Sequence, residues 1–331
     1  MLSLRDFDFD LPHALIAQTP ARPRDAARLL VYSRTDHSIT DDFFYNLQNY
    51  LPPETTLVLN NSKVEKCRLR FDNMEIFVLE SMNDRTVRAM VRPGKKFRLG
   101  AVVDLLDGIQ AEVTAVEDDG LRTIVFNQPI DNPAFEPYRL TPLPFYIEQD
   151  ETLAEEYQTV YAKPFGSKAA PTAGLHFTTE LLSKIKQSHD ITEVTLHVGI
   201  GTFAPVKTDD LSEHKMHEEW FEISAVAAES LNRADHITAV GTTSVRTLES
   251  ADHPFHAQTK ATGIFITPGY EFHSVDSLIT NFHLPKSTLL MLVSAFLGPD
   301  GSSVEELHRI YTHAIAEKYR FYSFGDAMLI L

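Results

Sequence analysis

The chain has 331 residues but only one cysteine, and no apolar run approaches the length of a membrane span. Cys67 has no second thiol for an intramolecular disulfide, and the opening residues lack a basic stretch followed by an apolar one. A reducing, cytoplasmic setting is therefore the expectation. The longest apolar run, Leu289 to Leu297, is interrupted by Ser294 and falls short of the roughly 20 residues that a spanning helix needs, so it reads as a core helix. Metal-ligand patterns are also scarce: there is no H-E-x-x-H and no cysteine pair, and His214 with His217 amounts to no more than two histidines on one helix face. Basic residues are in deficit, with 30 Lys and Arg against 46 Asp and Glu and a net charge of -16. That balance argues against a general nucleic-acid coat, because such proteins gain affinity by neutralising phosphates.

What remains is ordinary for a soluble globular protein, 43% hydrophobic and 23% charged, with length for roughly two domains of ~100–200 residues. Charge is unevenly spread. Residues 63–98 hold ten Lys and Arg against five Asp and Glu, and Arg85, Arg88, Arg92, Lys95, Lys96 and Arg98 follow one another with no acid between them. A solvated strand face and a phosphate-binding face both fit that run.

Short alternating or β-branched runs fill 63–145, namely Met74 to Leu79, Thr86 to Val91, Ala111 to Val116 and Leu121 to Phe126. Turn signals such as Arg92-Pro93-Gly94 and Asp119-Gly120 separate them, which predicts an all-β barrel-like domain. Elsewhere strands alternate with helices. Thr56 to Leu59, Glu193 to Val198 and Ile237 to Val240 read as strands, and Thr178 to Lys186 and Val245 to Ser250 as helices. A last helix carries an apolar stripe from Val304 to Ile315 behind a capping box of Ser303 and Glu306. The fold class expected is an α/β main domain (1–62 plus 151–331) with the β-barrel-like domain (63–150) inserted into it. Two consecutive domains are the alternative.

Three motifs could carry chemistry. Leu196-His197-Val198-Gly199-Ile200-Gly201-Thr202-Phe203-Ala204 formally satisfies G-x-G-x-x-G/A, but Pro205 follows at once and no helical stripe comes after, so the dinucleotide reading fails. Glycines at a strand end instead permit close approach or positive φ, and strand alternation sets His197 opposite the core-facing positions. Val240-Gly241-Thr242-Thr243-Ser244 leads from a strand into a helix bearing Arg246 and Glu249. Unpaired N–H groups and hydroxyls gather there, as an anion site or as a simple cap by Thr243 or Ser244. Arg246, placed in the first turn against the helix dipole, implies an anionic partner. His176 and His283 lie in loop-like phrases, where imidazole suits acid/base work or a satisfied structural bond. Near the end, Glu317 to Met328 reads as a helix running into an aromatic strand with a Gly-Asp corner, and Lys318 and Arg320 complement the helix C-terminus.

These phrases together resemble one family, the S-adenosylmethionine:tRNA ribosyltransferase-isomerases of queuosine synthesis. The similarity runs through Asp6 to Pro12, Leu59-Asn60-Asn61, Ala169 to Phe177 (AAPTAGLHF), Val194 to Val206 (VTLHVGIGTFAPV) and His214 to His217. It continues in Val240 to Ser250 (VGTTSVRTLES), Thr280 to Phe296 (TNFHLPKSTLLMLVSAF) and Glu317 to Met328. The resemblance implies transfer of the ribosyl part of S-adenosylmethionine onto 7-aminomethyl-7-deazaguanine at the wobble position of tRNAs with GUN anticodons, releasing adenine and methionine and leaving epoxyqueuosine. It implies a β-barrel inserted in an α/β domain with the active site near their junction, no metal and no cofactor, since S-adenosylmethionine is consumed. A monomer is the expectation for assembly.

Given that reaction, the acid/base set expected is His176, His197 and His283. Thr202 and Asn281 would orient substrate, and Thr243, Ser244 and Arg246, with Glu249 on the same helix, would bind the methionine carboxylate or a tRNA phosphate. For tRNA, the expected contacts are Arg88, Arg92, Lys95, Lys96, Lys318 and Arg320. Departures cluster in and near the β region. Ser62-Lys63-Val64-Glu65-Lys66-Cys67-Arg68 replaces the usual Thr-Arg and Pro-Ala, the turn at Asp72-Asn73 is shortened, and Ala27, Lys168 and Phe324 stand where a serine, a small apolar residue and a tyrosine are usual. They motivate two rival readings: a relative that binds tRNA with impaired catalysis and, from the histidines, a histidine-metal hydrolase.

Overall fold

The computed structural model describes residues 2–148, 150–199, 211, 214, 216–298 and 302–331. In chain order the strands begin with β1 (Arg28–Tyr32), β2 (Ile39–Phe43) and β3 (Thr55–Asn60). Next come β4 (Lys63–Val64), β5 (Arg68–Phe71), β6 (Met74–Ser81), β7 (Thr86–Arg92), β8 (Val102–Asp104), β9 (Gln110–Val116), β10 (Arg122–Phe126) and β11 (Arg139–Leu140). The remainder alternates through β12 (Phe165–Ser167), α1 (Thr179–Ile185), β13 (Asp190–Leu196), β14 (Glu219–Ile223), α2 (Ala225–Arg233), β15 (His236–Val240) and α3 (Thr242–Glu249). It closes with β16 (Gln258–Thr262), β17 (Ser277–Asn281), α4 (Thr288–Leu297), α5 (Ser302–Ala316) and β18 (Ala327–Ile330). Two compact units result, one comprising Met1–Lys63, Pro144–Gln149 and Glu155–Leu331, the other Val64–Leu143 and Asp150–Ala154.

The first unit is built on a nine-stranded mixed sheet in the order β16-β14-β13-β3-β15-β17-β18-β1-β2. Its centre, β13-β3-β15-β17, is parallel, with β18 antiparallel to β17. Side chains alternate between two apolar layers. Leu57, Leu59, Leu29 and Val31 pack with Phe177, Leu181 and Ile185 of the α1 side, while Val58, Leu30 and Tyr32 join the core that holds α2 to α5. Both faces are covered, so these strands read as continuous apolar runs. Each fully buried Leu here contributes on the order of 1.5–3 kcal/mol of transfer free energy.

The second unit is a seven-stranded antiparallel sheet, β11-β5-β6-β7-β10-β9-β8. One face of the central strands is buried, as Val87 and Ala89, Ala111 and Val113, and Ile124 and Phe126 illustrate. Register shifts at Val78/Glu80 and Thr123/Ile124 mark bulges that bend the sheet.

Several local expectations shift. Gly241 at φ 87 precedes α3, which starts at Thr242, so neither Thr243 nor Ser244 caps it; Arg246 falls in its last turn, where the dipole favours a cation. The capping box does not form, because Ser303 is already inside α5 and Glu306 binds the Arg309 guanidinium. The aromatic stretch after α5 is no strand. β18 begins only after the Gly325-Asp326 corner, and Phe321 makes a single bridge to Ile16. No helix among the described residues is long and apolar enough to cross a membrane.

Candidate active site

Parallel pairing brings the carboxyl ends of β13, β15 and β17 to one edge of the sheet, together with the residues that lead into β18. Crevices outside such strand ends are where open α/β sheets bind ligands. A cavity of about 700 Å³, counting its open mouth, lies there. Its wall takes Val198 from beyond β13, Gly241 to Thr243 from the β15–α3 turn, Thr280 to Leu284 from the end of β17, and Tyr322 and Ser323 from before β18. Ala169 to Ala173 and Tyr146 complete one side.

Local hydrogen bonds explain why these segments meet. Asn60 extends the β3–β13 ladder by side chain, donating to the Leu196 carbonyl and accepting from the Leu196 amide, both at 3.0 Å. Asn61 Oδ1 accepts from the Thr195 hydroxyl at 2.7 Å. Ser167 accepts from the Val198 amide at 3.0 Å and donates to the Ala169 carbonyl at 2.7 Å, which sets Ala169 to Ala173 against the end of β13.

The three histidines take different places. His283 lines the cavity; its Nε2 is 2.8 Å from the Thr280 hydroxyl and its amide donates to Tyr311 Oη at 3.0 Å. Burial depresses its pKa to about 3, so the ring is neutral near pH 7. His176 is buried behind Asn281, whose Nδ2 donates to His176 Nε2 and to the Tyr322 carbonyl, both at 3.2 Å. A carbonyl only accepts, which fixes the amide with Nδ2 on that side. His176 Nε2 is then the unprotonated nitrogen, in keeping with a pKa lowered by burial to about 4. His197 is outside the cavity wall, with its ring stacked on Trp220 at 5.1 Å and 13° and its other side against Gly166. Its Nδ1 is buried without a partner, and desolvation followed by the Lys168 charge lowers its pKa.

The α3 residues separate as well. Thr243 lines the cavity with its hydroxyl buried and unpartnered, whereas the Ser244 hydroxyl donates back to the Val240 carbonyl at 2.8 Å. Arg246 is buried and ion-paired to Glu219 on β14, whose other oxygen accepts from the Gly199 amide at 2.8 Å. The anionic partner that the sequence implies for Arg246 is met within the protein at Nη1, while its buried Nε and Nη2 have no partner. Glu249 accepts from Tyr270 Oη and from the His273 and Ser274 amides at 3.0–3.1 Å, anchoring that loop. Thr202 lies outside the described residues.

The basic candidates divide between the units. Arg88 and Arg92 are on one face of β7, with Lys95 and Lys96 in the turn that follows. Arg88 is paired with Glu117, its Nε 2.7 Å from Oε1, and Lys96 Nζ is 3.0 Å from Asn73 Oδ1; Arg92 and Lys95 are exposed. In the α/β unit, Lys318 is exposed, whereas Arg320 is held by Asp326 at 2.9 Å and by the Thr19 carbonyl. Among the described residues no group of three His, Cys, Asp or Glu is placed to share a metal ion.

Sequence reasoning missed Glu219, Tyr146 and Tyr322. Only the dipole argument about Arg246 pointed toward Glu219, and nothing near Tyr146 marks it, because the fold brings it in from a distant segment.

Comparison with known proteins bears on what the cavity serves. A family described as queuosine biosynthesis protein matches residues 4–330. The S-adenosylmethionine:tRNA ribosyltransferase-isomerase of Carboxydothermus hydrogenoformans is 47% identical over 344 residues, covering 100% of both chains. The protein of the same name from Finegoldia magna is 45% identical, covering 98% of this chain and 97% of its own. The crystal structure of S-adenosylmethionine tRNA ribosyltransferase from Thermotoga maritima superposes with a TM-score of 0.56 at 37% identity, over 98% of this chain and 100% of that one.

Proposed function

Because the chain belongs to the queuosine biosynthesis family, we propose that it is an S-adenosylmethionine:tRNA ribosyltransferase-isomerase. In this reading it moves the ribosyl group of S-adenosylmethionine onto 7-aminomethyl-7-deazaguanine at the tRNA wobble position, giving epoxyqueuosine-tRNA, adenine and methionine. The observation that carries the reading is similarity over the whole length, at 47% identity, to an enzyme of that name. GUN-anticodon tRNA, a cytoplasmic setting, the monomeric state and the arrangement of the β unit as a barrel-like insertion of 63–150 in the α/β domain all belong to the proposal.

The chemistry asks for few groups. The sulfonium acidifies the carbon between sulfur and ribose, a base takes that proton, and adenine departs as a ring nitrogen is protonated or hydrogen-bonded. The free aminomethyl nitrogen then attacks, and epoxide closure expels methionine. Of the three histidines, His283 is the one in the described cavity wall, and position makes it the candidate base. His197 is the second candidate for proton transfer, and His176 acts through Asn281. S-adenosylmethionine is a substrate, so the reading needs no cofactor. In the proposed tRNA contact, Arg92 and Lys95 of the β unit and Lys318 of the α/β unit offer exposed cations, whereas Arg88, Lys96 and Arg320 already hold polar partners within the protein.

Incubation with S-adenosylmethionine and tRNA bearing the aminomethyl precursor tests the reading. Adenine release that requires the precursor tRNA is expected. Intact tRNA binding with no adenine would favour the impaired relative instead.

A further inference from the structure

Among its described lining residues the cavity has no Asp, Glu, Lys or Arg. Its histidine, His283, is kept neutral by burial. Two buried polar atoms of its wall, Asn281 Oδ1 and Thr243 Oγ1, have no partner in the protein. Asn281 Nδ2 is already committed to the Tyr322 carbonyl and His176 Nε2, so what the amide offers a ligand is an acceptor. The Thr243 hydroxyl can donate. Around them are apolar and aromatic surfaces: Ala169, Val198, Phe282, and the rings of Tyr146 and Tyr322 at 4.6 Å.

Uncharged walls disfavour a charged group, which would lose its water without a countercharge. They suit a flat, neutral ring fixed by a few polar contacts. Of the parts of S-adenosylmethionine, the methionyl end carries an ammonium and a carboxylate and the centre carries the sulfonium. The adenine is flat and neutral, with an exocyclic amine that donates and ring nitrogens that accept. Of the groups expected to hold the carboxylate, Ser244 donates to the Val240 carbonyl, and Arg246, outside the described lining of this cavity, pairs with Glu219 through Nη1 and keeps Nε and Nη2 unpartnered.

Resting on the reading that S-adenosylmethionine is the substrate, we propose that this cavity is the adenine subsite, where Asn281 Oδ1 accepts from the exocyclic amine and Thr243 Oγ1 donates to a ring nitrogen. His176 is then a positioning residue, because its unprotonated Nε2 holds the Asn281 amide in the orientation that presents Oδ1. The donated hydrogen bond from Thr243 also eases departure of the base in the reaction.

Competition against S-adenosylmethionine with free adenine, purine, methionine and the free aminomethyl-deazaguanine base tests the assignment on the full chain. Adenine is expected to compete, with purine, which lacks the amine, about tenfold weaker. Thr243→Val should weaken adenine about tenfold at an unchanged melting temperature, and Thr243→Ser should restore wild-type affinity. Equal binding of adenine and purine, together with no effect of Thr243→Val, overturns the subsite. So does a Thr243→Val loss seen for methionine or the deazaguanine base instead of adenine. Turnover measured on the same preparation separates the two levels: turnover without adenine discrimination sinks the subsite alone, and adenine discrimination without turnover sinks the proposed reaction while the adenine-binding cavity stands.

Discussion

Replacing Arg246 by methionine removes one half of a buried ion pair and leaves the Glu219 carboxylate, itself 5% exposed, without the guanidinium bound to it. Methionine fills much of the same volume, so the cost is electrostatic more than steric. Loss of one partner of a buried pair costs about 3–5 kcal/mol. At ~2–4 °C per kcal/mol for a unit of this size, the melting temperature should fall by roughly 6–20 °C. Glu219 also accepts the Gly199 amide, directly beyond Val198 of the cavity wall, so turnover of any folded fraction should fall too. The double variant Glu219→Gln/Arg246→Met is the control. With both charges gone and an acceptor kept for Gly199, it should regain most of the lost stability, because a neutral replacement of a buried pair is often close to isoenergetic. Urea denaturation of wild type, both single variants and the double variant gives the coupling energy. Single variants that each cost under about 1 kcal/mol and add without coupling would refute the reasoning.

His176 and His283 have folded pKa values of about 4 and about 3, below the ordinary 6.5. Their contribution to stability is complete above about pH 6.5, declines progressively below it and is gone once pH has fallen through about 4 and about 3, so urea stability should already drop by roughly 4 kcal/mol from pH 7 to 5. A flat profile there would contradict burial of the neutral rings. Gly166 has φ +139, and a Cβ on it would sit 2.9 Å from the His197 ring. Gly166→Ala should cost about 1–3 kcal/mol and alter the emission of Trp220, the sole tryptophan, by displacing the stacked imidazole; unchanged emission would mean that the stack is absent. Charge reversal at exposed Arg92 and Lys95 should weaken tRNA binding and lower its salt slope by about one per lost phosphate contact, more than reversal at Arg88, which Glu117 already neutralises. Equal effects at all three would remove the role given to that ion pair.

The central strands were legible because burial on both faces imprints unbroken apolar runs, as in Thr56 to Leu59 and Ile237 to Val240. The turn at Gly241 was legible through its glycine, but the start of α3 was not, since Thr242 carries no cap signal and Gly241 provides none by side chain. That displacement removed the dipole argument about Arg246, although its conclusion, an anionic partner, matched Glu219. Strands β14 and β16 escaped notice because their exposed alternate positions, Trp220 and Glu222 or Thr259 and Ala261, dilute the apolar signal. Counting charge over residues 63–98 could not reveal that Glu117, from two strands further along the chain, faces Arg88. Long-range pairing decided which polar groups are spent and which are free. Neither the closed state of Ser244 nor the open state of Thr243 can be read from Thr-Thr-Ser.

The most direct measurement uses S-adenosylmethionine labelled in the ribose, supplied with tRNA carrying the aminomethyl precursor. The account predicts that label enters the tRNA in equimolar amount with the adenine and methionine released, and that tRNA lacking the precursor takes up none. Adenine formed with the label left off the tRNA, or label transferred irrespective of the precursor, would contradict it.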